Sequence, residues 1–109
     1  MKESIKVLEE CKLLQLKKSN DYQNKYSSVK QADYYPRGCY TILDIMHGKM
    51  LRIKSILEAM ESNNYDPNFE SLEDSAKDLI NYSSFFVSYL RKKIQGQKIN
   101  KDFLNRDII

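Results

Sequence analysis

The chain has 109 residues, 41% of them hydrophobic and 30% charged, with only three glycines and two prolines. This balance suits one small globular domain; it excludes a disordered chain and argues against a many-stranded β fold, which needs more turn residues. The net charge of +3, from 18 basic against 15 acidic residues, is too even to mark a nucleic-acid binder.

No apolar run approaches the ~18 residues of a membrane span. The opening stretch MKESIKVLEECK carries charges where a signal peptide needs its apolar core, so a cytoplasmic location is the expectation. Two cysteines, Cys11 and Cys39, are too few and too far apart for a metal knuckle and read as free thiols.

Periodicity predicts a first helix over residues 3–18. Ile5, Leu8, Cys11 or Lys12, and Leu16 mark its buried stripe, widened by Val7 and Leu14. SNDY at 19–22 is expected to end it, because Ser, Asn and Asp favour turns. Residues 20–40 are polar and rich in tyrosine, with a turn forced at YPRG. A loop of this length in so small a domain is uncommon unless it binds something.

A second helix is expected over 42–61, with Thr41 as N-cap and Asp44 at the capping-box position. Ile42, Met46, Met50, Ile53, Leu57 and Met60 form its apolar stripe, and Asn63 and Asn64 close it. Asp66 and Pro67 then lead into a third helix over 70–93, interrupted near Gly96. A short terminal helix is expected in KDFLNRDII, with Asn100 as its cap. The fold class is therefore all-α: a single domain of three long helices plus a short C-terminal one. Three helices make a thin core, so a homodimer or homotetramer is expected to complete it.

Two features of the helical faces bear on function. On the third helix, the apolar centre runs along Leu72, Ala76, Leu79, Ser83 and Leu90, and Ser83 on that line suggests a close helix contact. Asp74 and Asp78 are four apart, one above the other, in a column that continues through Asn81 and Phe85. Two like charges so placed need an offset, either a divalent cation such as Mg²⁺ or a basic neighbour such as Lys77 or a residue of another helix. Glu70 and Glu73 suit a helix's first turns without any further role. On the second helix, Lys49 falls on the apolar side between Ile45, Ile53 and Ile56, with Arg52 flanking it. Lys49 has three readings: it snorkels, it pairs with Asp78 across the helix interface, or it points at a phosphate. His47 stands alone on a polar face. No glycine-rich phosphate loop, HExxH motif or obvious nucleophile–base arrangement is present.

The segments KSNDYQNKYS, ILDIMHGKMLRIKSILE and FESLEDSAKDLINYSSFFV together resemble the nucleotide modification associated domain 1 family, small helical proteins common in bacteriophage genomes. That family is similar to the wider all-α NTP pyrophosphatase group, which includes MazG-like enzymes and dimeric dUTPases. The likeness covers roughly residues 17–90: Asp21–Tyr22, then Lys49, Arg52 and Ile53, then Glu73, Asp74, Asp78, Leu79, Asn81 and Tyr82. It implies a helical bundle around a nucleotide site. Mg²⁺ would sit on Asp78 and Asp74 with Glu70 or Glu73, while Lys49 and Arg52 neutralise phosphate and Asn81 and Tyr82 line the site. Where that group has a Glu-x-x-Glu pair, this chain has Asp44 and His47. Three functions stay open: a Mg²⁺-dependent nucleoside triphosphate pyrophosphohydrolase with Asp74 and Asp78 as its catalytic carboxylates; a phage protein that sequesters linear or cyclic nucleotide immune signals; and a structural or interaction module. In the sequestering reading Tyr22, Tyr26, Tyr34, Tyr35 and Tyr40 stack on bases, while Lys25, Arg37, Lys49 and Arg52 hold phosphates.

Overall fold

A computed structural model describes residues 2–22, 24–62, 66 and 68–108, the side chain of Tyr22 excepted. Among these the chain is helical: α1 (Glu3–Tyr22), a single 3₁₀ turn (Gln31–Tyr34), α2 (Cys39–Glu61) and α3 (Phe69–Leu90). The only β feature among them is an isolated bridge between Lys101 and Asp107. No helix of these residues is long and apolar enough to cross a membrane. Packing is closest between α2 and α3, and α1 lies along the other side of α3.

Helix ends depart from the sequence expectation for local reasons. SNDY does not stop α1, which runs on through it; Ser19 turns its hydroxyl back onto the Leu16 carbonyl at 2.7 Å. α2 starts three residues early. Its N-cap is Gly38 rather than Thr41, whose hydroxyl instead accepts the Arg37 N–H at 2.9 Å. The expected cap at Asn63 and Asn64 and the turn at Pro67 lie outside the described residues. α3 is capped by Asn68, whose side chain accepts the Ser71 N–H at 3.2 Å. It ends at Leu90 rather than 93. There Lys92 adopts a positive φ of 58°, and the Lys93 N–H reaches back to the Ser88 carbonyl at 2.9 Å, a Schellman closure made without glycine.

The expected C-terminal helix is absent. Residues 94–108 form a clasp of turns over the start of α2. Asp102 causes this: its carboxylate accepts the N–H groups of Leu104 (2.9 Å) and Arg106 (2.8 Å) and the Arg106 Nε (2.9 Å), which competes with a helical ladder. Those bonds, the Arg106 backbone N–H foremost, hold Asp102 below the usual carboxylate range. Asn100 does not cap a helix; its carbonyl accepts the Ile108 N–H at 3.0 Å. The clasp returns to the fold at two points. The Phe103 carbonyl takes the Cys39 N–H at 3.0 Å, and Asn105 donates to the Pro36 carbonyl at 2.9 Å.

The core sits at this end of the molecule. Tyr35, Cys39, Ile42, Tyr89 and Ile94 are buried, with Ile45, Met46, Phe86 and Leu104 packed on them. Tyr35 and Tyr89 meet edge to face, ring centroids 6.4 Å apart. Tyr35 is therefore a core residue and not a platform for a base. The expected stripe of α1 shifts as well: Cys11 is buried and Val7 and Leu14 half-buried, but Ile5, Leu8 and Leu16 are exposed.

Gly38 has no substitute in this clasp. Its φ of +57° disfavours side chains, and an added Cβ would stand 2.4 Å from the Phe103 carbonyl oxygen and 2.8 Å from the Tyr89 ring. Gly38→Ala is expected to cost about 3 kcal/mol in urea denaturation, from backbone strain plus displacement of the clasp. A second expectation concerns pH. Burial pushes the thiols of Cys11 and Cys39 above the ordinary value of 9.0, and burial likewise raises Tyr89 above 10.0. Groups held neutral in the folded state contribute stability below their unfolded pKa, and that stability is lost as pH rises toward the folded value. The urea midpoint should fall from about pH 8 to about pH 10, and Cys39→Ala should flatten that fall.

Candidate functional site

The sequence-predicted residues converge on the middle of α3. Asp78 faces inward, its side chain 25% exposed, and an ammonium from each neighbouring helix reaches it. Lys49 of α2 stands 3.1 Å from one carboxylate oxygen and Lys18 of α1 3.5 Å from the other. Of the three readings for Lys49, the cross-helix pair is the one observed.

One turn further along α3, Asn81 is buried. Its carbonyl oxygen accepts from Gln15 of α1 at 2.9 Å, and Gln15 also donates to the Ser84 hydroxyl at 2.8 Å. Cys11 sits one turn before Gln15, its thiol directed at the Lys77 carbonyl at 3.9 Å. α1 therefore contacts α3 through Cys11, Gln15 and Lys18, a line of residues at helical spacing. Between the two helices and the 3₁₀ turn lies a cleft of about 200 Å³, lined by Gln15, Leu16, Lys18, Asp78, Asn81 and Tyr82, with Ser19, Gln31 and Phe85 at its sides. Tyr82 and Phe85 form an edge-to-face pair in its wall, 5.5 Å between centroids.

The other acidic residues of α3 are more exposed than Asp78. Glu73 binds Lys77 of its own helix at 3.3 Å. Lys77 also takes Glu10 of α1 at 3.0 Å, a hydrogen bond that raises the lysine's pKa above its ordinary value. Asp74 is exposed on the outer part of the column, and Glu70 is exposed in the first turn of α3. Among the described residues no three His, Cys, Asp or Glu side chains gather in one place. The donor set fits Mg²⁺ poorly for a further reason: each oxygen of Asp78 already faces an ammonium, which a cation would have to displace.

The loop residues stand apart. The Lys25 ammonium lies 5.1 Å from the Tyr26 ring centroid and the Arg37 guanidinium 4.9 Å from that of Tyr40, each over its own neighbour's ring. Arg52 is exposed on α2, and the Tyr22 side chain lies outside the described residues. Sequence reasoning missed Lys18 and Gln15, and placed Phe85 on the acidic column without giving it a role. A signal for the first two existed: Lys18 is two turns beyond Cys11 and Gln15 one turn, so both share the face of the buried cysteine.

No family model, no curated protein and no solved structure matches the chain. The motif resemblance therefore stands on the residues quoted above, and the site is read from its own chemistry.

The two ion pairs should differ in strength. Opposite charges in partly buried surroundings gain more than exposed ones, because solvent screens them less. Lys49 is 31% exposed and Lys18 53%. A double-mutant cycle with Asp78→Asn and Lys49→Met is expected to give a coupling of about 1 kcal/mol, and the cycle with Lys18→Met below about 0.5 kcal/mol, both read from urea denaturation.

Proposed function

We propose that this protein binds a nucleotide in the cleft between α1 and α3 and holds it without hydrolysis. The observation that carries this reading is the cleft wall itself, where the Lys18 ammonium meets the Asp78 carboxylate beside an aromatic pair, with Lys49 behind it on the other carboxylate oxygen. A phosphate presented there competes with Asp78 for Lys18, while Lys49 stays on the far oxygen of Asp78. The faces and edges of Tyr82 and Phe85 offer an apolar surface to a base. Gln15 and Asn81 supply the amide groups that give such a site orientation.

The volume of about 200 Å³ is smaller than the ~300–1,000 Å³ of pockets that swallow whole ligands. The cleft therefore takes a phosphate and an adjoining ring edge, and the rest of the nucleotide lies over Leu16, Ser19 and Gln31. Binding without turnover follows from the carboxylates. Pyrophosphate release in the resembling group needs paired acids on one metal, whereas here Asp78, one of the expected pair with Asp74, is engaged by two lysines, and Glu73 by Lys77. This is the behaviour of a sequestering protein, the phage-type role that the motif resemblance suggests.

The test is a thermal-shift series with nucleoside triphosphates and cyclic dinucleotides, with and without Mg²⁺, followed by chromatography of the recovered ligand. A ligand at about 100 times its Kd stabilises the native state by about 2.7 kcal/mol, which is several degrees for a domain of this size. The expected result is a shift from at least one nucleotide, recovered intact, that Lys18→Met reduces. Release of pyrophosphate would replace this reading with the hydrolase. No shift with any nucleotide would contradict both.

A further inference from the structure

The clasp walls a second cavity, which shares no lining residue with the cleft. It holds about 280 Å³ between the 3₁₀ turn and residues 96–105. Asp33 and Pro36 line it from one side, Lys98, Lys101 and Asn105 from the other, and Tyr89 of α3 reaches it as well. The two sides are tied together. The Ala32 N–H donates to the Gln95 carbonyl at 3.0 Å, and the Asn105 side-chain amide to the Pro36 carbonyl at 2.9 Å. Gln97 fixes the clasp to the end of α3, accepting the Ile94 N–H at 2.9 Å and donating to the Tyr89 carbonyl at 3.0 Å.

Three polar groups around this space keep unused bonding capacity. Tyr89 is 2% exposed, and its hydroxyl makes no hydrogen bond among the described residues. No described side-chain oxygen that is wholly shut from solvent lacks a partner, so this hydroxyl opens onto the cavity. A polar group so deeply placed is costly to leave unpaired. Burial, foremost, raises its pKa above the ordinary 10.0, which keeps it a donor at neutral pH. Lys98 and Asp33 are the other two groups, and neither has an ion-pair partner among the described residues. One Asp33 oxygen accepts the Lys30 N–H at 2.8 Å, which leaves the other for a ligand. Lys101, by contrast, is held by Asp107.

We infer that this cavity binds a small α-amino acid, its carboxylate on the Lys98 ammonium and the Tyr89 hydroxyl, its ammonium on Asp33. Charge selects this class. A phosphate, inorganic or nucleotide, would set its negative charge beside Asp33, and like charges repel. A bare cation would meet Lys98 and Lys101 with the same result. A zwitterion answers both sides at once, and bonds from an ammonium to a carboxylate are among the stronger ones. The Asn105 side-chain oxygen adds an acceptor for the ligand ammonium, since the amide nitrogen is spent on Pro36. Size agrees with charge: about 280 Å³ lies just under the ~300–1,000 Å³ of pockets that take drug-sized ligands. So placed, the amino acid bridges the 3₁₀ turn and the clasp and adds to the bonds that already join them. The site uses no residue of the nucleotide cleft and is independent of that reading.

The test is a chemical-shift titration of the full chain with each standard amino acid, followed at the Gly96 backbone and the Asn105 side-chain amide. The N-acetyl and carboxamide derivatives of any binder, each lacking one of the two charges, are titrated beside it. The variants are Lys98→Met, Asp33→Asn and Tyr89→Phe, with Lys92→Met as a control. Lys98 and Asp33 are exposed, asparagine still accepts the Lys30 N–H, and phenylalanine keeps the Tyr89 ring, so each variant is compatible with folding; circular dichroism verifies this. The expected result is saturable binding of at least one amino acid with a Kd of about 1 mM or tighter. Both derivatives, Lys98→Met and Asp33→Asn should bind at least tenfold more weakly, Tyr89→Phe several-fold more weakly, and Lys92→Met as the parent does. No saturable shift from any amino acid would overturn the inference. So would binding that survives both Lys98→Met and Asp33→Asn, or derivatives that bind as well as the free amino acid.

Discussion

Asp78 stands on the middle helix with one ammonium from each flanking helix on its two oxygens, Lys18 at 3.5 Å and Lys49 at 3.1 Å. Remove the carboxylate and two positive charges are left near one another between three helices, at a place where water reaches only part of them. Like charges so placed repel. The position of α1 depends on this arrangement more than on hydrophobic burial, because Cys11 is the one buried hydrophobic residue that α1 contributes to the described core. The rest of its contact is polar: Gln15 on Asn81 and Ser84, Glu10 on Lys77, Lys18 on Asp78. A helix held by hydrogen bonds and ion pairs can shift at modest cost when a competing anion arrives. That property is why the joint between α1 and α3 is proposed as the site.

The hydrophobic core is built differently, and Tyr82 and Phe85 of the cleft wall pack against it. There α2, α3 and the clasp enclose tyrosines, a cysteine and isoleucines, and Gly38 lets the Phe103 carbonyl and the Tyr89 ring close on the first turn of α2. Apolar packing holds this part together, whereas hydrogen bonds and ion pairs hold α1. Between them α3 serves both neighbours: Lys77 and Asn81 meet α1, and Asp78 meets Lys49 of α2.

The long helices were legible because α2 and α3 repeat apolar residues at helical spacing over more than five turns. Their ends were less so. Lys92 closes α3 in a conformation usually left to glycine, and Asp102 diverts the tail from a helix by binding its own backbone; neither leaves an apolar pattern to read. Lys49 was legible as an anomaly, since a lysine among isoleucines needs an anion, and Asp78 was the acidic residue placed to meet it. Lys18 and Gln15 were hidden because the face of α1 that touches α3 is mostly polar, while its leucines point elsewhere. Periodicity of apolar residues finds hydrophobic contacts and is blind to polar ones.

The cleft around Asp78 is the centre of this account, and proton–nitrogen correlation spectra recorded during a nucleotide titration address it directly. The side-chain amides of Gln15 and Asn81 lie in the cleft wall and give resonances of their own. The account predicts that they shift together with the backbone signals of Lys18, Asp78 and Tyr82, saturating at one ligand per chain, while signals from the clasp at residues 94–108 stay in place. Shifts confined to the loop around Lys25 and Arg37, or to the clasp, would contradict it.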